Sequence, residues 1–166
     1  MLIATVEDPQ EKSDICSHIL QSLPEWFAVE ASIIEYTNRV RSLPLFAAYG
    51  QEHPVGFIAV KTHNPYTAEI CVMGVLPGYH RQGIGSRLIR QAEAYCLERG
   101  HIYLTVKTLD ASAVYEPYER TRRFYRQQGF VPLEVFPSYW DASNPCLLLA
   151  KHLPCQMAGL REKGEY

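Results

Sequence analysis

Residues 75–89 read VLPGYHRQGIGSRLI. An apolar run, TAEICVMGV, leads into them, and Gly83 and Gly85 lie among the donors His80, Arg81 and Arg87. Beyond the glycines, residues 84, 88, 89, 92, 95 and 96 are apolar or aromatic, the spacing of an amphipathic helix, and Gly100 stands where such a helix would close. Strand, glycine turn and helix in that order make a place for an anion. The first N–H groups of a helix have no internal partners, and the helix dipole adds partial positive charge there. A glycine lets the backbone approach a phosphate with no Cβ in between.

Two nucleotide motifs come close and fail on a required residue. A dinucleotide fingerprint needs a third glycine where Leu88 stands, and a phosphate loop of the GxxxxGK type needs a lysine where Ile84 stands.

Outward from the turn, LIATV (2–6) reads as a first strand. Asp8-Pro9 opens a helix over residues 10–23, and a second helix is expected over 29–41. LFAAYG and VGFIAVKTH, separated by QEHP, read as a hairpin that continues into the strand before the turn. After the long helix, IYLTVK is a strand and YERTRRFYRQQ a short helix ended by Gly129. FVPLEVF and CLLLAKHL are the last strands, with PSYWDASNP as the loop between them. The order β-α-α-β-β-β-α-β-α-β-β predicts an α/β (α+β) fold: a central mixed, mostly antiparallel sheet of about seven strands with helices on both faces.

The totals narrow the function classes. The chain has 166 residues, of which 47% are hydrophobic and 20% charged, and a formal net charge of −2. Such a chain is globular and carries no basic excess for nonspecific nucleic-acid binding. No stretch approaches the roughly 20 apolar residues of a membrane span. The N-terminus lacks the apolar core of a signal peptide. Five cysteines with no CxxC spacing suit free thiols in the cytoplasm. The six histidines show no paired ligand spacing, so no metal is expected.

VLPGYHRQGIGS resembles the [Q/R]xxGxG[A/S] signature of the GNAT (Gcn5-related N-acetyltransferase) superfamily, preceded there by a strand ending in V-x-P. His80 stands where Gln or Arg is usual. A second stretch, RRFYRQQGFVPL (122–133), is similar to the family's FYxxxGF helix-to-strand motif. The resemblance is strongest over 68–131. It implies a GNAT fold, with residues 1–153 a single acyltransferase domain and 154–166 a polar C-terminal tail. It also implies acetyl-CoA as cosubstrate and direct transfer to a primary amine of a small molecule or peptide.

The resemblance assigns cofactor binding to Met73, Gly74, Val75, His80, Arg81, Gln82, Gly83, Ile84, Gly85 and Ser86. Main-chain groups of residues 73–75 would hold the pantetheine arm as a short extra strand, and the glycine turn would hold the pyrophosphate. AEICVMGVLPGYHRQGIG aligns without a gap to the histone-acetyltransferase branch and puts Glu69 at its catalytic glutamate. A carboxylate within a sheet can have its pKa raised toward neutrality by burial, which suits a base. Phe124 is expected in the core and Tyr125 at the sulfur, as the acid that protonates the leaving thiolate. The family often has Asn where Tyr118 stands.

Glu25, Trp26, Trp140 and Asp141, in aromatic and acidic loops, are candidate contacts to a cationic acceptor. Cys71 and Cys146 are weaker candidates, as acyl-carrying thiols. Ser138 and Ser143 lack the partners of a serine triad. The resemblance leaves a homodimer open. The competing class is a non-catalytic acyl-CoA-binding or regulatory module on the same fold.

Overall fold

The structure, a computed structural model, describes residues 1–154. Cys155 and the rest of the expected polar tail lie outside the described residues. The elements are β1 (Leu2–Val6), α1 (Pro9–Gln21), α2 (Glu30–Val40), β2 (Leu45–Gly50), β3 (His53–Thr62) and β4 (Thr67–Val75). After a single 3-10 turn (Pro77–Tyr79) come α3 (Ile84–Glu98), β5 (Tyr103–Leu109), α4 (Glu116–Gln127), β6 (Val131–Asp141) and β7 (Asn144–His152).

The strands form a seven-stranded sheet in the order β1-β2-β3-β4-β5-β7-β6. The pairs β1–β2, β2–β3, β5–β7 and β6–β7 are antiparallel. The neighbours β4 and β5 are joined through α3, the crossover that a parallel pair requires, so the sheet is mixed. No helix among the described residues is long and apolar enough to cross a membrane.

Two compact units share the chain. The first comprises Met1–Lys61 and Ile70–Ala92, the second Thr62–Glu69 and the described residues from Glu93 onward. In the first, α1 starts as its sequence dictates. The Asp8 carboxylate accepts from the Glu11 N–H at 2.7 Å, and Pro9 opens the first turn with no N–H to satisfy. Its apolar stripe of Ile15, Ile19 and Leu20, continued by Leu23 just past the helix, packs with Ile33 and Val40 of α2 onto Leu45, Phe57 and Val72 of the strands. Leu20 is fully buried, so its truncation to Ala would cost about 2–5 kcal/mol.

In the second unit Leu104, Phe130 and Leu149 are fully buried, with Val106 and Leu147 nearly so. At the end of α3, the Gly100 N–H bonds the Leu97 carbonyl at 2.9 Å and the His101 N–H bonds the Cys96 carbonyl at 2.9 Å, the Schellman pattern expected from the position of Gly100. Residues 126 and 129, and 125 and 130, close α4 in the same way.

The long loop expected between the last two strands is corrected by the structure. PSYWD belongs to β6, which runs to Asp141, and the hairpin turns on Ala142 and Ser143. Pro137 is tolerated because β6 is the edge strand of the sheet among the described residues, and an edge position can spare a ladder donor.

Candidate functional site

The glycine turn is built from the backbone outward. Gly74 on β4 is packed against α1: a Cβ there would lie 2.9 Å from Ile19 and 3.0 Å from Leu23, so this glycine answers to packing. Gly83 answers to conformation, with φ of 76° and nothing within 4 Å of where its Cβ would be. A cradle of this kind admits a ligand oxygen where any other residue would place a methyl group. Arg81 also has a positive φ, 59°, which for a residue with a Cβ costs about 1–2 kcal/mol. Behind the turn, Ile84 is buried to 1% exposure and anchors the head of α3, while Gly85 and Ser86 are half-buried. The N–H groups of the first turn of α3 can therefore hold an anion together with the exposed Arg81.

Several flanking side chains from the sequence motif are engaged in shaping the turn. His80 Nε2 lies 2.7 Å from the Val75 carbonyl, and since a carbonyl only accepts, this nitrogen carries the proton. Trp26 meets the His80 ring edge-on at 6.1 Å, so one expected acceptor contact stands beside the turn. Gln82 donates to the Gly78 carbonyl at 3.1 Å, and Arg87 donates to the Met1 carbonyl at 2.9 Å. Met73 and Val75 are half-buried on β4, and Glu25 is exposed.

Glu69 is the hub of a different kind of cluster. Its side chain is 12% exposed. Lys107 of β5 donates to its Oε2 at 2.7 Å, and His63 Nε2, from the β3–β4 turn, meets the same oxygen at 2.5 Å. The Lys107 ammonium lies 5.4 Å from the Tyr139 ring, and Trp140 packs edge-on against Tyr139 at 5.7 Å. Burial pushes the Cys146 thiol up, partly offset by Lys107. A buried thiol of this kind is a poor acyl carrier. His63, Lys107 and Tyr139 escaped the sequence reading. Their one signal was a lysine inside the apolar strand IYLTVK.

The remaining candidates divide. Tyr125 is buried to 5% exposure and packs edge-on against Phe130 at 5.6 Å. Phe124, expected in the core, is only half-buried, because the apolar face of α4 is centred on Tyr125. Burial pushes the Tyr118 phenol up, and Tyr115 adds to the effect. Asp141 serves the β6–β7 turn: Oδ1 accepts from the Ser143 N–H at 2.8 Å and both oxygens accept from the Asn144 amide. Those bonds, the Asn144 side chain foremost, hold its carboxyl below the usual range. No cluster of metal-ligating side chains occurs among the described residues.

A family model described as acetyltransferase (GNAT) family matches residues 12–130. Solved structures share the fold at low identity. A GNAT-family protein from Desulfovibrio desulfuricans superposes with a TM-score of 0.78 at 14% identity, over 92% of this chain and 100% of that one. An aminoglycoside 6'-N-acetyltransferase complexed with coenzyme A gives 0.75 at 22% identity, over 93% and 98%. The ribosomal-protein-S18-alanine N-acetyltransferase from Escherichia coli gives 0.73 at 17% identity, over 98% and 100%. No curated sequence relative matches the chain.

Proposed function

Because the chain belongs to the acetyltransferase (GNAT) family, we propose that it transfers the acetyl group of acetyl-CoA to a primary amine of a small molecule or peptide, by direct transfer. The observation that carries this reading is the open, left-handed turn at Gly83 at the head of α3, within the span that the family model matches. Coenzyme A accompanies one structure of the same fold, and the names of two similar structures give an aminoglycoside and the alanine of a ribosomal protein as acceptors. An acceptor of either class suits the reading.

Acetyl-CoA supplies an activated acyl group with a thiol leaving group. The chain's part is to bind, orient and move protons. Backbone N–H groups of residues 83–86 bind the diphosphate, with Arg81 adding charge. Main-chain groups of Met73 and Val75 align the pantetheine arm and stabilise charge on the acyl oxygen. Glu69, directly or through water, draws the proton from the amine, and Tyr125 gives a proton to the departing sulfur.

The test is thiol release from acetyl-CoA in the presence of a panel of amines: an aminoglycoside, a polyamine, free amino acids and a peptide with an N-terminal alanine. Amine-dependent release is expected with at least one of them. Tight acetyl-CoA binding without release by any amine would favour the non-catalytic module.

A further inference from the structure

We infer that His63 is a further catalytic residue: its Nδ1 takes the proton of the attacking amine, and Glu69 is the carboxylate that orients and charges it. The inference rests on the acetyltransferase reading and puts an imidazole where that reading leaves a water. It starts from one oxygen. Glu69 Oε2 accepts from the Lys107 ammonium at 2.7 Å and faces His63 Nε2 at 2.5 Å. An ionised carboxylate can only accept, so the neutral imidazole beside it carries its proton on Nε2. The lone pair is then on Nδ1, at the far side of the ring.

Exposure points the same way. The side chain of Glu69 is 12% exposed and that of Lys107 19%, whereas that of His63 is 34% exposed. The carboxylate is the inner member and the imidazole the outer one. The same division of labour, with a buried carboxylate fixing tautomer and orientation and an imidazole moving the proton, recurs on unrelated folds. Lys107 holds Glu69 from the other side and is itself steadied by the Tyr139 ring at 5.4 Å. The charged groups on the imidazole's side are therefore Glu69 on β4 and, through it, Lys107 on β5, and the Cys146 thiol on β7 feels both charges.

The step balances. As the amine nitrogen bonds to the acyl carbon, one N–H bond breaks and its proton goes to Nδ1. The imidazolium formed is paired with Glu69. The departing sulfur takes the Tyr125 proton. Water then receives the proton from Nδ1 and restores the phenol, so His63 returns to the same tautomer and the next cycle needs no ring flip.

Two measurements test this. In the full-length protein labelled with nitrogen-15 in its histidines, the neutral His63 ring is expected as the Nε2–H tautomer, and Glu69→Gln is expected to weaken that preference. An Nδ1–H ring in the unmutated protein would overturn the inference whatever the activity. With the best amine of the panel, His63→Ala is expected to lower kcat by about a hundredfold. Acetyl-CoA affinity by calorimetry should stay unchanged, and free imidazole should restore part of the rate. His63→Gln, which keeps the bulk, is expected to be as slow as the Ala variant. A full rate in either variant, or no imidazole rescue of the Ala variant, would overturn the role of His63 while leaving acetyl transfer standing. An unmutated protein that acetylates no amine would take down the reading beneath it as well.

Discussion

The glycine turn and the Glu69 cluster are two ways of making a site. The turn is local and made of main chain: within residues 75–89, Gly83 and Gly85, one strained arginine and the head of α3 lie in consecutive chain, and the first N–H groups of a helix have no partners within it. The cluster is dispersed and made of side chains: His63, Glu69, Lys107 and Tyr139 come from four separate stretches of the chain. The first depends on conformation and resists any residue that cannot adopt a positive φ. The second depends on charge balance, so removing one member leaves another exposed to an apolar surrounding. The two should therefore fail in different ways.

The sharpest break is expected at Gly83. A valine there finds empty space but must adopt φ near 76° with a branched Cβ. Gly83→Val should leave the fold cooperative and weaken acetyl-CoA binding by at least about a hundredfold, close to 2.7 kcal/mol. Unchanged affinity by calorimetry would show that the turn does not contact the ligand. In the cluster the failure should be one of stability. Glu69→Gln leaves the Lys107 ammonium without its carboxylate and should cost up to about 3 kcal/mol in denaturant unfolding. Adding Lys107→Met should recover much of that. If the double variant were as unstable as the single one, the charge-balance account of the cluster would be wrong.

A smaller effect separates acid from binder. Tyr125→Phe should lower kcat at least about tenfold with acetyl-CoA affinity intact. An unaltered kcat would remove Tyr125 as the acid. The smallest effect lies away from both sites, at Asp110, whose carboxylate accepts from the Ser112 N–H at 2.9 Å and the Ser112 hydroxyl at 2.7 Å. Those bonds hold its carboxyl below the usual range. A depressed folded-state pKa gives stability that is present above the unfolded value and lost as the pH falls through the folded one. Asp110→Asn should therefore cost under about 1 kcal/mol at neutral pH and flatten the acid side of the stability profile. An acid limb that is unchanged would show that Asp110 does not contribute to it.

The same contrast explains what the sequence could disclose. The turn, α3 and its closure at Gly100 are written in consecutive residues whose backbone demands are strict, and each is found where its pattern placed it. β6 reaches further than its sequence suggests because Pro137 and the polar residues around Trp140 carry turn chemistry, while an edge strand can absorb a proline without losing a ladder bond. The sequence marks Asp141 as a candidate cation contact; that its oxygens also accept from Ser143 and Asn144, two and three residues on, is a local role that composition does not reveal. The partners of Glu69 were hidden because Lys107 is 38 residues away in the chain, and only the strand arrangement brings them together.

The central claim is that main-chain N–H groups at the head of α3 hold the diphosphate of a thioester carrier. Calorimetry of the folded protein with acetyl-CoA and, separately, with S-acetylpantetheine, which lacks the diphosphate, tests it most directly. The account predicts heat and saturable binding with acetyl-CoA, and affinity for the shortened thioester lower by at least about a hundredfold. Equal affinity for the two, or no heat with either, would contradict it.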